Sequence, residues 1–348
     1  MTSGKGRETE TAGAPKPINL ALQGGGAHGA FTWGVLDWLL ERELFTIEGV
    51  SGTSAGAMNA VVLAAGMHEG GEEGARAALH RFWKAVSDRA WLSPIRRTPL
   101  DVIMGQWSLD MSPSFLAFDI ASRFASPYEF NPLNINPLRE VVAETVDFDA
   151  VNACQAIRVF ISATNVHSGK IKVFSGEEIT LDAVMASACL PHLFQAVEID
   201  GVPYWDGGYM GNPPLFPLFG NTGTPDTVLV QINPVERNET PRTAREILNR
   251  LNEITFNSTL LREMRAIEFV TRLIEDGKLD RKDYQKVHIH RISAEGLKPL
   301  QSSSKVNAEW RFLTHLRDIG RQAAEQWAGA HYDSVGTRSS VDLREEFM

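Results

Sequence analysis

Short apolar runs that end in glycine alternate, in the first part of this chain, with stretches whose apolar residues recur at helical spacing. Ile18-Asn19-Leu20-Ala21-Leu22 reads as a strand running into Gly24-Gly25-Gly26, and Ala30 to Arg42 carries a helical pattern. Phe45 to Val50 reads as a second strand; it ends at Ser51-Gly52-Thr53-Ser54 and is followed by a small-residue helix from Ala55 to Gly66. Two consecutive strand, turn and helix units predict a parallel sheet with crossover helices, whose ligands lie beyond the carboxyl ends of the strands. Both glycine turns are therefore expected to face one crevice.

From Trp83 to Pro137 the pattern changes. Trp83, Trp91, Trp107, Phe115, Phe118, Phe124 and Phe130 are interleaved with Pro94, Pro99, Pro113, Pro127 and Pro132. This stretch reads as an irregular insertion at about 83–137, whose aromatics either line a pocket or form a lid, or simply pack it onto the core. Strands are expected again at Arg158 to Ala163, Ile171 to Phe174, Asp226 to Ile232 and Val287 to Ile292, and helices at Leu181 to Cys189, Ala244 to Leu279 and Trp310 to Trp327.

Length and composition narrow the classes. The 348 residues, 43% of them hydrophobic, suffice for one large domain with a sizeable core, or for that and a smaller appendage. A net charge of -9 with interspersed signs argues against a phosphate-backbone binder, so no nucleic-acid partner is expected. Cys154 and Cys189 form no CxxC pair; neither a disulfide framework nor a cysteine zinc site is expected, and a reducing, cytoplasmic setting fits. Residues 1–16 are polar and lack an apolar h-region, so they read as a disordered tail rather than a signal peptide. The longest apolar run, Ala60 to Met67, is much shorter than the roughly 20 residues that span a bilayer, which leaves peripheral contact as the expected form of membrane association.

Three segments carry candidate chemistry. Gly52-Thr53-Ser54-Ala55-Gly56 matches G-x-S-x-G, in which a strained strand-to-helix turn pushes the serine hydroxyl into a crevice; Ser54 is the candidate nucleophile. Gly24-Gly25-Gly26, with the Ala55 N–H, can direct backbone donors at the oxyanion of a tetrahedral intermediate. Trp205-Asp206-Gly207-Gly208 supplies a base, without which a serine hydroxyl is a poor nucleophile, although an Asp-Gly-Gly sequence is also an ordinary turn.

Taken in order, Gly24-Gly25-Gly26-Ala27-His28-Gly29, Gly52-Thr53-Ser54-Ala55-Gly56 and Asp206-Gly207-Gly208 resemble the patatin-like phospholipase family, over roughly Ile18 to Leu218. Ser187-Ala188-Cys189-Leu190-Pro191 and Asn212-Pro213-Pro214 add to the likeness. The resemblance implies a three-layer α/β/α fold with a mostly parallel central sheet, and a Ser54–Asp206 dyad in which Asp206 accepts the proton. It implies a fatty-acyl ester substrate and no metal or organic cofactor. The expected organisation is a catalytic domain over 17–218, with strands and helices of 219–348 completing or capping it. One departure is His28, where the family commonly carries Arg or Lys; a neutral histidine capping the turn is the expectation there.

Other readings compete. Gly24, Gly26 and Gly29 also satisfy G-x-G-x-x-G, with Glu43 or Glu48 as the acidic ribose ligand of a dinucleotide fold. An α/β-hydrolase triad could combine Ser54 and Asp206 with His288, His290 or His315, and a non-catalytic lipid or nucleotide binder could retain the same fold. Ser302-Ser303-Ser304-Lys305 invites comparison with a serine–lysine catalyst but reads as a polar loop.

Overall fold

The computed structural model describes residues 14–347 except 92, 94 and 281. Most of the expected tail lies outside the described residues, but its last residue does not: Lys16 opens the first strand, and its ammonium donates to the Tyr332 and Val335 carbonyls at 2.8 and 2.9 Å.

Among the described residues eight strands form one sheet: β1 (Lys16–Leu22), β2 (Phe45–Gly52), β3 (Arg158–Asn165), β4 (Ile171–Ser175), β5 (Val197–Ile199), β6 (Val202–Asp206), β7 (Asp226–Val230) and β8 (His288–Ile292). Their order is β5-β6-β3-β2-β1-β7-β8, with β4 also paired to β3. The pairings among β3, β2, β1, β7 and β8 are parallel, and those of β4, β5 and β6 are antiparallel. The chain winds outward from β1 through β2 to β3, then returns to the other side of β1 as β7. The direction of winding thus reverses beside β1, where open α/β sheets form their ligand crevice.

Side-chain alternation gives the sheet two buried faces. Ile18, Leu20 and Leu22 of β1 join Val228 and Val230 of β7 in one apolar cluster, covered by α1 (Gly29–Arg42), α2 (Ala55–Ala90) and α10 (Trp310–His331). Ala21, Phe160 and Leu229 face the other way, against Leu260, Met264 and Ile267 of α9 (Ala244–Glu275) and Phe347 of α11 (Leu343–Phe347). Helices therefore lie on both faces of the sheet, as the three-layer expectation required.

The helix after the elbow extends well past Gly66 and folds back on itself. Gly70 and Gly71 leave helical geometry, Gly71 with φ of 61°, and the returning half packs Trp83 so that its indole N–H donates to Asn59 Oδ1 at 3.0 Å. Residues 86–91 are thereby carried back to the Ser54 end of the molecule.

The expectation of an irregular 83–137 segment is corrected. Trp83 to Ala90 belong to α2, and the remainder holds α3 (Pro99–Ile103), α4 (Pro113–Phe124) and α5 (Pro127–Phe130), followed by α6 (Pro137–Thr145) and α7 (Phe148–Ala153). Thr98, Ser112, Ser126 and Asn136 each cap a helix whose next residue is proline. A proline at the first helical position gives up an N–H that would have no partner there, so these prolines start helices instead of marking loops.

Candidate active site

Register places the elbow and the aspartate at one level of the sheet. Gly52 of β2 pairs with Ile161 of β3, and two residues further on Ala163 pairs with Asp206 of β6. Ser54, two residues past Gly52, therefore reaches the level of Asp206. Its side chain stands near enough to the Asp206 carboxylate to favour the ionised form.

Ser54 has φ 54° and ψ -120°, an unfavourable backbone for a residue with a side chain. Its N–H donates to Ser187 Oγ at 2.9 Å, and the neighbouring Thr53 hydroxyl donates to the Gly211 carbonyl at 2.7 Å. The turn closes so tightly that a Cβ on Gly56 would collide with the Leu22 carbonyl, while one on Gly24 would stand 2.8 Å from Ser54 Cβ. Gly29, Gly52 and Gly207 are similarly crowded, by Ala55, Gly56 and Ser162 respectively.

Asp206 is buried at the end of β6. Its N–H donates to the Cys189 carbonyl at 2.8 Å, its carbonyl accepts from the Thr164 hydroxyl at 2.8 Å, and Oδ1 accepts the Gly208 N–H at 2.7 Å. Burial pushes its pKa up to about 7, opposed by the Gly208 N–H and by the Ser54 side chain. Such a carboxyl gains and loses a proton near neutrality, which suits proton shuttling.

The three glycines after β1 have different surroundings. Gly24 is buried and its N–H donates to Asn212 Oδ1 at 2.7 Å. The N–H groups of Gly25, Gly26 and Ala55 are engaged by no acceptor among the described residues, and Gly25 and Gly26 are accessible. His28 is buried, contacts Ser304 Oγ through Nε2 at 2.7 Å and meets the edge of Phe312; burial lowers its pKa to about 3, with Lys305 and Arg237 adding to the effect, so it is neutral.

The histidines considered for a triad stand elsewhere. His288 and His290 both contact Asp226 Oδ1, at 3.3 and 3.0 Å, and His290 packs on Trp327. Exposed His315 stacks on Trp107. Glu48 accepts the Gly223 and Thr224 N–H groups at 2.8 and 2.9 Å.

Sequence reasoning missed the β5–β6 hairpin that delivers Asp206. Asp200 and Gly201, at φ 53° and 74°, form its turn, and Asp-Gly between apolar runs is a strong hairpin signal. It also missed the part played by Ser187 and the docking of Ser302–Val306 against the glycine turn.

The patatin-like phospholipase profile matches residues 20–219. The chain belongs to the patatin-like phospholipase family, and with it to the lipid acyl hydrolases. Among solved structures it is similar to VipD from Legionella pneumophila, at 16% identity and a TM-score of 0.35, over 87% of this chain and 67% of that one. ExoU of the type III secretion system of Pseudomonas aeruginosa gives 16%, 0.29, 90% and 54%. Human GIVD cytosolic phospholipase A2 gives 18%, 0.26, 49% and 24%. The chain thus spans about half the length of ExoU and a quarter of the human enzyme. A comparison with curated proteins gives no match.

Proposed function

We propose that the protein is a serine lipid acyl hydrolase of the phospholipase, lysophospholipase or esterase type, working through a Ser54–Asp206 dyad. The observation that carries this reading is the placement of a strained elbow serine at the level of a buried carboxylate whose pKa is pushed up to about 7. Asp206 takes the Ser54 proton as Oγ attacks the ester carbonyl. Collapse of the tetrahedral intermediate returns that proton to the leaving alcohol, and water, deprotonated by Asp206, then releases the fatty acid. Gly25, Gly26 and Ala55 supply the oxyanion donors; Gly24, with its N–H committed to Asn212, serves by letting the loop approach Ser54.

We assign residues 17–218 and the later strands and helices to one catalytic domain, because β7 and β8 extend the sheet beside β1. The acyl chain is proposed to enter a cavity of about 530 Å³ lined by Val86, Ala90, Pro137, Leu138, Val141 and Phe194. Phe194 belongs to the loop begun by Cys189, which holds the Asp206 N–H.

The test is hydrolysis of p-nitrophenyl esters of increasing chain length by wild type, Ser54→Ala and Asp206→Asn, with folding followed by circular dichroism. Turnover by wild type and a loss of at least about a thousandfold in both folded variants is expected. An inactive wild type, or an active variant, would remove the assignment.

A further inference from the structure

His28 is neutral, yet a cation is built against the glycine turn from far along the chain. Lys305 lies in the helical turn Ser302–Val306, and its backbone carbonyl packs on Gly26 so closely that a Cβ there would collide with it; Gly26 has φ of 59°. The Lys305 ammonium donates to Asn233 Oδ1 at 2.7 Å. The Asn233 amide in turn donates to the Gly24 carbonyl at 2.7 Å, and Gly24 abuts Ser54. A single buried amide group therefore spans the gap between the ammonium and the turn beside the nucleophile. Asn233 follows β7 and the glycines follow β1, so the cation stands at the carboxyl-end crevice where the winding reverses.

Among the described residues Lys305 forms no ion pair; the nearby carboxylate of Glu253 is held by Arg237 at 2.7 Å and Arg250 at 3.1 Å. Burial draws the Lys305 pKa below the ordinary lysine value, an effect that Glu253 opposes and Arg237 reinforces. A partly buried ammonium held by a neutral amide, with Arg237 acting on it and the carboxylate of Glu253 already paired with two arginines, attracts an anionic oxygen.

We propose that Lys305, positioned by Asn233, binds an anionic oxygen that the substrate presents beside Ser54. Resting on the hydrolase reading above, this deepens it: the oxygen belongs either to a headgroup phosphate or to the tetrahedral intermediate.

The experiment compares wild type, Lys305→Met and Lys305→Arg on a lysophosphatidylcholine and on a monoacylglycerol of the same chain, and measures melting temperature with and without inorganic phosphate. Lys305→Met is expected to lose about tenfold in kcat/KM, with Lys305→Arg recovering most of it. Loss confined to the phospholipid and carried by KM assigns the phosphate; equal loss on both, carried by kcat, assigns the intermediate. Phosphate should raise the melting temperature of wild type and not of Lys305→Met, a readout that does not depend on turnover. Activity of Lys305→Met within about twofold of wild type on both lipids overturns the proposal. So does an equal deficit in folded Lys305→Met and Lys305→Arg, or an equal phosphate response in wild type and Lys305→Met. If Lys305→Met does not fold, Lys305→Gln takes its place under the same criteria. Failure of wild type on both lipids and on p-nitrophenyl esters would sink the hydrolase reading, while the phosphate response still decides for or against Lys305.

Discussion

Asp206 has to be buried to sit beside Ser54, and burial works against its charge. Because its folded pKa is raised to about 7 from an ordinary value of 3.8, the folded state binds this proton more tightly than the unfolded chain does. The resulting contribution to stability is fully present below about 3.8 and is lost as pH rises through about 7. Asp206→Asn should therefore stabilise the protein relative to wild type by a few kcal/mol at pH 8 and by much less at pH 5. Denaturant melts at the two values check this, and an equal effect at both would show that the aspartate is not desolvated. Catalysis has the opposite dependence, since only the ionised form accepts a proton: kcat/KM should climb with pH through about 7 as a single titration. A profile flat from pH 5 to 9 would count against Asp206 as the base.

Elements meet here with little side-chain padding. A Cβ on Gly34 of α1 would collide with the Arg317 carbonyl, and one on Gly320 of α10 with the Phe31 carbonyl, so the two helices touch backbone to backbone. Gly320→Ala should cost roughly 3 kcal/mol or more, far above its gain in helix propensity of about 1 kcal/mol. A melting temperature equal to or above that of wild type would contradict that contact. The returning half of α2 and α6 enclose the cavity assigned to the acyl chain. Leu138→Trp should shorten the preferred p-nitrophenyl ester chain and leave acetate hydrolysis unchanged, and an unaltered chain-length profile would place the acyl group elsewhere.

At the scale of the whole molecule, the insertion emerges at the Ser54 end and leaves large apolar side chains in solvent: Ile103 is 82% exposed, Phe124 87% and Leu133 80%. Trp91 and Tyr128 are exposed as well, whereas Trp107 stacks on Phe312 and Phe118 meets Phe130 edge-on. No described helix is long and apolar enough to cross a membrane. Peripheral lipid contact through the exposed set is the proposal, because burying such side chains in an interface returns about 25 cal/mol for each Å² of apolar surface. The double variant Ile103→Asp, Phe124→Asp should float poorly with phosphatidylcholine liposomes and hydrolyse liposomal lipid more slowly, at unchanged rate on p-nitrophenyl butyrate. Equal flotation of variant and wild type would exclude these residues as the contact.

The parallel core of the sheet was legible because its signals are local. The apolar run Val228-Leu229-Val230, the glycine turns and the G-x-S-x-G elbow each depend on neighbours a few residues away, and helix and strand spacing follow from them. The same local signals, taken in order, were enough to indicate the family. Read locally, Asp206 looked like a turn, and only the antiparallel pairing of β6 with β3 brings it level with Ser54. His290 could be proposed for a triad until its strand placed it on Asp226, and Lys305 looked like loop polarity until Ser302–Val306 packed on Gly26. The chain's own pattern determined which elements form and which turns can hold a reactive serine, since propensity, capping and backbone permissiveness act within a few residues. Which distant charges and carbonyls meet there was decided by strand order and packing, because burial and electrostatics depend on distance in space and not along the chain.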